Sequence, residues 1–153
     1  MCNDILKLLK IKDNNIKITK VEEDVVIRGK KSNVIFGPLS YKPMTCPHCY
    51  HSNPNRIHKH GKRLSRITFL RFQEIAVYLN LLKQRFKCMV CGRTFTSKTN
   101  VVEDNCFISN HVQKAIIDKA TQVRSETDIA SDCNVSASSV KRVIHKVSNA
   151  TFQ

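Results

Sequence analysis

Cys46-Pro47-His48-Cys49 and Cys88-Met89-Val90-Cys91-Gly92 decide the reading of this chain. In each pair two residues separate the thiols, a spacing at which both can reach one metal ion. Two pairs supply four sulfurs, and Zn²⁺ held by four sulfurs is a closed, structural site. The expected ligands of one structural Zn²⁺ are therefore Cys46, Cys49, Cys88 and Cys91. The 38 residues between Cys49 and Cys88 exceed the ~15–20 usual between paired knuckles. Closure entropy grows only with the logarithm of length, and structural zinc returns about 10–16 kcal/mol in small peptides. Pro47 stiffens the first knuckle and Gly92 allows the second its tight turn. Tyr50 stands where the first knuckle would favour glycine.

The rest of the composition agrees with metal rather than disulfides. No apolar run approaches the ~20 residues of a membrane helix, and Met1 to Lys7 does not have the form of a signal peptide. The expected location is the reducing cytoplasm, at the nucleoid when DNA-bound, where close cysteine pairs bind metal. Cys2, Cys106 and Cys133 read as ordinary small core or surface residues. His48 and His51 flank the first knuckle and stay open as alternative ligands. His58 and His60 read as surface residues. Cys-Pro-His-Cys is also the active-site tetrapeptide of some periplasmic disulfide oxidases, where it opens a helix that lowers the first thiol's pKa. Here a loop composition, Tyr50 to Pro54, follows it.

The net charge of +14 is unevenly placed. Residues 1–45 carry nine Lys/Arg against five Asp/Glu, and residues 101–153 carry six of each. Residues 46–100 carry eleven Lys/Arg and a single acid, Glu74. A basic field on the metal-binding region attracts polyanions, nucleic acid above all, with salt-dependent affinity; the partner expected of the chain as a whole is double-stranded DNA. A hydrolytic metal site would need a carboxylate base and an open coordination position, and neither is visible. No small-molecule substrate and no enzymatic activity are expected of this chain.

The predicted fold class is α+β: a small β-rich zinc-ribbon domain followed by an all-α helix-turn-helix domain. Residues 1–45 are expected as a flank, with a helix over 4–12 and strands over 16–21, 25–28 and 33–39. Residues 46–100 form the basic ribbon, with strands over 66–72 and 75–88. In 82–88, Lys83, Arg85 and Lys87 share one face, while Leu82, Gln84, Phe86 and Cys88 share the other. Residues 94–102 read as a polar connector.

Residues 101–153 are expected to be helical. Ser109 caps a helix to about 124, with Val112, Ala115, Ile116, Ala120 and Val123 on its buried stripe. Ser125 and Asp128 resemble a capping box for the next helix. Asn134 suits a turn position of positive φ, and Ser136 caps the last helix. There Val140, Val143, Ile144 and Val147 face inward. A recognition helix reads bases from its N-terminal half, so Ser138, Ser139 and Arg142 are the expected base contacts. Lys141 and Lys146 are expected phosphate contacts, with Lys62, Arg63, Lys83, Arg85 and Lys87 adding contacts from the ribbon.

The order of these features resembles a family. The two knuckles, Ile57-His58-Lys59-His60-Gly61-Lys62-Arg63, Arg85-Phe86-Lys87-Cys88, Gly92-Arg93-Thr94-Phe95, Thr127-Asp128-Ile129-Ala130 and Val135-Ser136 look like the N-terminal half of bacterial insertion-sequence transposases of the ISL-three group. The resemblance implies a zinc-binding domain and a helix-turn-helix that recognise terminal inverted repeats, ahead of an RNase-H-like domain with an Asp-Asp-Glu triad. No acid here matches that triad. The expectation is thus a truncated transposase that binds DNA without moving it, with a homodimer or the full-length transposase as a possible partner. The alternative is a zinc-ribbon/helix-turn-helix transcription regulator.

Overall fold

The computed structural model describes residues 2–151; the reading of Cys2 falls outside the described side chains. The chain builds helix α1 (Cys2–Leu8), strands β1 (Lys20–Ile27), β2 (Lys30–Leu39), β3 (Ile57–Thr68), β4 (Ala76–Cys88) and β5 (Thr94–Thr96), then helices α2 (Asn110–Ala120), α3 (Glu126–Cys133) and α4 (Ala137–Thr151). A β-rich region carrying the four cysteines therefore precedes a helical region, in the order expected.

Strand β4 organises the sheet, whose order is β1-β2-β4-β3 with β5 also on β4. Its first half pairs in parallel with β2, from Ser32↔Ala76 to Leu39↔Lys83. Its second half pairs with β5 over Arg85–Lys87, while β3 runs antiparallel along it from Ile57↔Cys88 to Thr68↔Tyr78. Residues 76–81 are buried throughout, as a central strand covered on both faces requires. Val77, Leu79 and Leu81 join Ile35, Leu39, Ile67, Ile16, Ile18, Val101 and Val102 in the main core. On the other face Ala76 and Tyr78 meet Ile27 and Val34.

The faces change roles midway along β4. Gln84, Phe86 and Cys88 are buried, while Leu82, Lys83, Arg85 and Lys87 are half-exposed. The alternation expected over 82–88 holds except at Leu82. Beyond Leu81 the apolar layer passes to the opposite face, where Phe86 packs against Tyr41 and Phe95 with centroids 5.9 and 5.4 Å apart.

Several boundaries differ from the sequence reading. The first helix stops at Leu8, not 12: Lys10 turns left-handed (φ 56°) and the Ile11 N–H donates to Leu6 O at 2.9 Å. This is a Schellman-type ending that buries Ile11. The expected strands 16–21 and 25–28 give way to one strand over Lys20–Ile27, because the break between them is a bulge with Asp24 at φ 55°, while Ile16 makes an isolated bridge to Leu39. The strand expected over 66–72 lies earlier, since a bulge between Lys59 and Lys62 absorbs the positive φ of Gly61. The connector 94–102 contains β5, and Val101 and Val102 lie in the sheet core. Strand pairing between β2 and β4 also crosses the boundary expected after residue 45, so the N-terminal segment is part of the ribbon's own sheet.

The helices α2, α3 and α4 pack around Val112, Ile116, Ile129, Ala130, Cys133, Val140 and Val143. Caps define them as read: Ser109 Oγ accepts from Val112 N–H, Ser125 Oγ from Asp128 N–H and Ser136 Oγ from Ser139 N–H. Asn134 adopts φ 55°, ψ 47° between α3 and α4, and its amide donates to the Tyr78 hydroxyl at 3.0 Å. The first of these helices ends at Ala120 rather than 124, leaving Ala120 and Val123 exposed, and Val147 is 38% exposed on α4. Thr68 anchors the helices to the sheet: its N–H donates to Phe107 O and its carbonyl accepts from Ser109 N–H.

Candidate metal centre and nucleic-acid face

The two cysteine pairs fold into near-identical turns. Cys46 N–H donates to His51 O and Tyr50 N–H to Cys46 O; Cys88 N–H donates to Arg93 O and Gly92 N–H to Cys88 O. Each turn needs a left-handed residue in the same place, and Tyr50 (φ 61°) and Gly92 (φ 74°) provide it. A non-glycine residue there costs about 1 kcal/mol. Tyr50→Gly is therefore expected to raise the stability of the metal-loaded protein by about 1 kcal/mol, measured as the shift of the denaturant midpoint at constant slope.

These turns aim all four sulfurs at one point. The ligand atoms of Cys46, Cys49, Cys88 and Cys91 lie within 4.8 Å of one another. Cys46 Sγ stands 3.8 Å from Cys91 Sγ, and Cys49 Sγ stands 3.7 Å from Cys88 Sγ. A regular tetrahedron with metal–sulfur bonds of about 2.3 Å has edges of about 3.8 Å, so the residues fit a four-sulfur metal. Cys46 and Cys88 are buried; Cys49 and Cys91 face outward.

The ionisation of these thiols points the same way. Burial raises the Cys46 thiol, but the N–H groups of Cys49 and His48 and the thiols of Cys49 and Cys88 outweigh it, bringing the pKa down to about 6. The N–H of His51 lowers Cys49, yet burial and the thiols of Cys88, Cys46 and Cys91 push it up to about 11. Cys46 takes a negative charge readily, and Cys49 beside it resists one. A cation at the centre would remove that conflict.

The neighbouring histidines support the sulfurs and leave the four-cysteine set complete. His51 Nδ1 accepts from Asn53 N–H, so Nε2 carries the proton and faces Cys88 Sγ at 3.0 Å. Such outer hydrogen bonds orient metal ligands. His48 Nε2 lies 3.1 Å from Thr94 O, tying the first knuckle to β5. The disulfide-oxidase geometry is absent: Cys49 leads to no α-helix, only to a 3-10 turn at Pro54–Arg56.

Residues 42–91 match the zinc-finger of transposase IS204/IS1001/IS1096/IS1165. The match covers both cysteine pairs, so this span is similar to the zinc ribbon of that transposase family. Neither the curated proteins nor the solved structures contain a match to the chain. No helix among the described residues is long and apolar enough to cross a membrane.

The zinc ribbon brings together only some of the cations singled out in the sequence. Lys83, Arg85 and Lys87 share a face of β4, and Arg63 stands directly across from Lys83. Lys62 stands across from Gln84, so it projects from the opposite face. On α4, Ser138, Lys141, Arg142 and Lys146 are exposed. Lys141 pairs with Glu126 at 3.7 Å, and Lys146 pairs with Glu103. Ser139 is buried, contrary to a base-contact role: its hydroxyl meets Ser136 Oγ at 2.9 Å and accepts from Arg142 at 3.0 Å. It tethers the arginine instead. The sequence reading missed His51 as an outer hydrogen-bond donor and missed Lys98, Asp104 and Phe107 beside Lys83. Nothing in the periodicity of 94–107 marks them.

Proposed function

We propose that this chain is a DNA-recognition unit of an insertion-sequence transposase, with Zn²⁺ as its structural metal and the element's terminal inverted repeats as its target. The match of residues 42–91 to a transposase zinc-finger carries this reading. The proposed ligands are Cys46, Cys49, Cys88 and Cys91. Four protein ligands would leave no coordination position open, so the metal's contribution is rigidity.

The helices α3 and α4 act as a helix-turn-helix, joined by the left-handed Asn134. Arg142, held at one end by Ser139, is the base-reading residue, and its free donors suit guanine in the major groove. Ser138 lies one turn earlier on the helix. Lys141 and Lys146 reach phosphates by leaving exposed acidic partners, an exchange of small cost because surface pairs contribute only about 0–1 kcal/mol. Lys83, Arg85, Lys87 and Arg63 extend the positive field onto the ribbon, and Lys62 contributes to the charge of the other face.

Binding of the metal-loaded chain to an inverted repeat and to its shuffled control at one salt concentration tests this. Arg142→Ala is expected to weaken the repeat by about tenfold or more while leaving the shuffled probe nearly unchanged. Equal binding of both probes by the unmodified chain would defeat the reading. Preference for an unrelated promoter palindrome would favour a zinc-ribbon regulator instead.

A further inference from the structure

A cleft of about 370 Å³ opens beside the zinc ribbon, between the cationic part of β3 and β4, the end of β5 and residues 98–107. Its volume falls in the range of small-ligand pockets. The composition of its walls narrows the occupant.

Arg63 and Lys83 line the cleft as directly opposed cross-strand partners. Like charges so placed destabilise a sheet. Lys83 is also half-buried, and burial together with Arg63 lowers its pKa, with Asp104 acting in the other direction. Asp104, the acid in the cleft, pairs with Lys98 at 3.2 Å. The Arg63–Lys83 pair is therefore positive, and an anion there would relieve it.

Two aromatic rings line the same cleft. Phe95 is half-buried, fixed by Phe86 and by an edge contact with His48 at 6.5 Å. Phe107 is 53% exposed, yet its backbone is held, with its carbonyl accepting from Thr68 N–H at 2.8 Å and Ile108 bridging to Thr68. Thr96 and Asn105 add a hydroxyl and an amide. Cations beside exposed aromatic rings are the chemistry by which proteins hold unpaired bases. A paired base hides its faces in the stack and offers only its edges; an unpaired one can lie flat on a ring.

The geometry points to this cleft as a site for one unpaired nucleotide, its base against Phe107 and its phosphate on Arg63 and Lys83. This rests on the DNA-binding reading and adds to it a preference for duplex carrying an unpaired nucleotide.

The test uses the full, metal-loaded chain at one salt concentration. Three probes are compared: a blunt inverted-repeat duplex, the same duplex with a short unpaired extension containing 2-aminopurine, and the extension alone. The extended duplex is expected to bind about tenfold more tightly than the blunt one, with a change in aminopurine fluorescence. Phe107→Ala should abolish both effects and leave blunt-duplex affinity unchanged. Lys83→Gln should reduce the preference for the extension severalfold. Equal affinity for blunt and extended probes, or a preference that survives Phe107→Ala, overturns the site. Complete displacement of the extension by an equal concentration of free thymidine monophosphate would also overturn it, in favour of a small-anion pocket. If the blunt duplex is not bound while the extension alone shows the Phe107-dependent signal, the inverted-repeat reading fails and the cleft stands.

Discussion

Cys88→Ser is expected to cost the protein its metal and the folded ribbon together. Cys88 is fully buried, joins the end of β4 to the second knuckle and receives the His51 ring. Structural zinc contributes about 10–16 kcal/mol in small peptides, and ordinary domains are stable by only about 5–15 kcal/mol. Loss of one ligand from four therefore exceeds what the sheet can absorb. Metal content should fall from one per chain towards zero, and the sheet signal in circular dichroism should collapse. The helical signal should persist in part, because α2, α3 and α4 share an apolar cluster of their own. Cys133→Ala is the control. Cys133 is buried in that cluster, away from the four ligands, so the variant should keep its metal and lose about 1 kcal/mol. Retention of stoichiometric metal by Cys88→Ser would show that the four-sulfur centre is wrongly assigned. Acid should reproduce the loss, because protons compete with the metal for the thiolates: affinity falls as pH falls.

Gly37→Ala should be the most damaging substitution away from the metal. A Cβ at Gly37 would lie 2.2 Å from the carbonyl oxygen of Lys17. That carbonyl cannot swing aside freely, since Lys17 N–H donates to Pro38 O and Thr19 N–H to Phe36 O. The segment leading into β1 thus runs alongside β2, hydrogen-bonded to it, and only a hydrogen fits between Gly37 and the Lys17 carbonyl. The expected cost is about 3 kcal/mol, read as a lower melting temperature with unchanged metal content. A neutral result would mean that residues 16–19 are not closely paired with β2.

What was legible in the sequence was whatever chemistry fixes locally. The paired cysteines, the left-handed Asn134 and the serine caps all act over a few residues, and each stands where its chemistry requires. Long-range pairing was not legible. Residues 1–45 read as a flank because β2 and β4 are parallel partners far apart in sequence, and nothing in either strand names the other. The turn after Leu8 was hidden because its left-handed residue is a lysine, which carries no turn signal. Ser139 was misread because an exposed and a spent hydroxyl look alike until the Arg142 guanidinium is placed. The cleft beside Lys83 joins residues from 47 to 107, too dispersed for any periodicity to reveal.

The parallel partnership of β2 and β4 has a consequence for how the molecule assembles. Leu39 and Lys83 are paired although 44 positions apart, and strands with such distant partners find each other slowly. The route from Leu39 to Cys46, across the four-cysteine centre and back from Cys88 to Lys83, is only about a dozen positions, which lowers the entropic cost of that meeting by about 1 kcal/mol. A metal captured early would act as a guide for strand assembly as well as a brace for the finished sheet. Refolding should then run severalfold faster when the ion is present from the start than when it is added after the chain has collapsed.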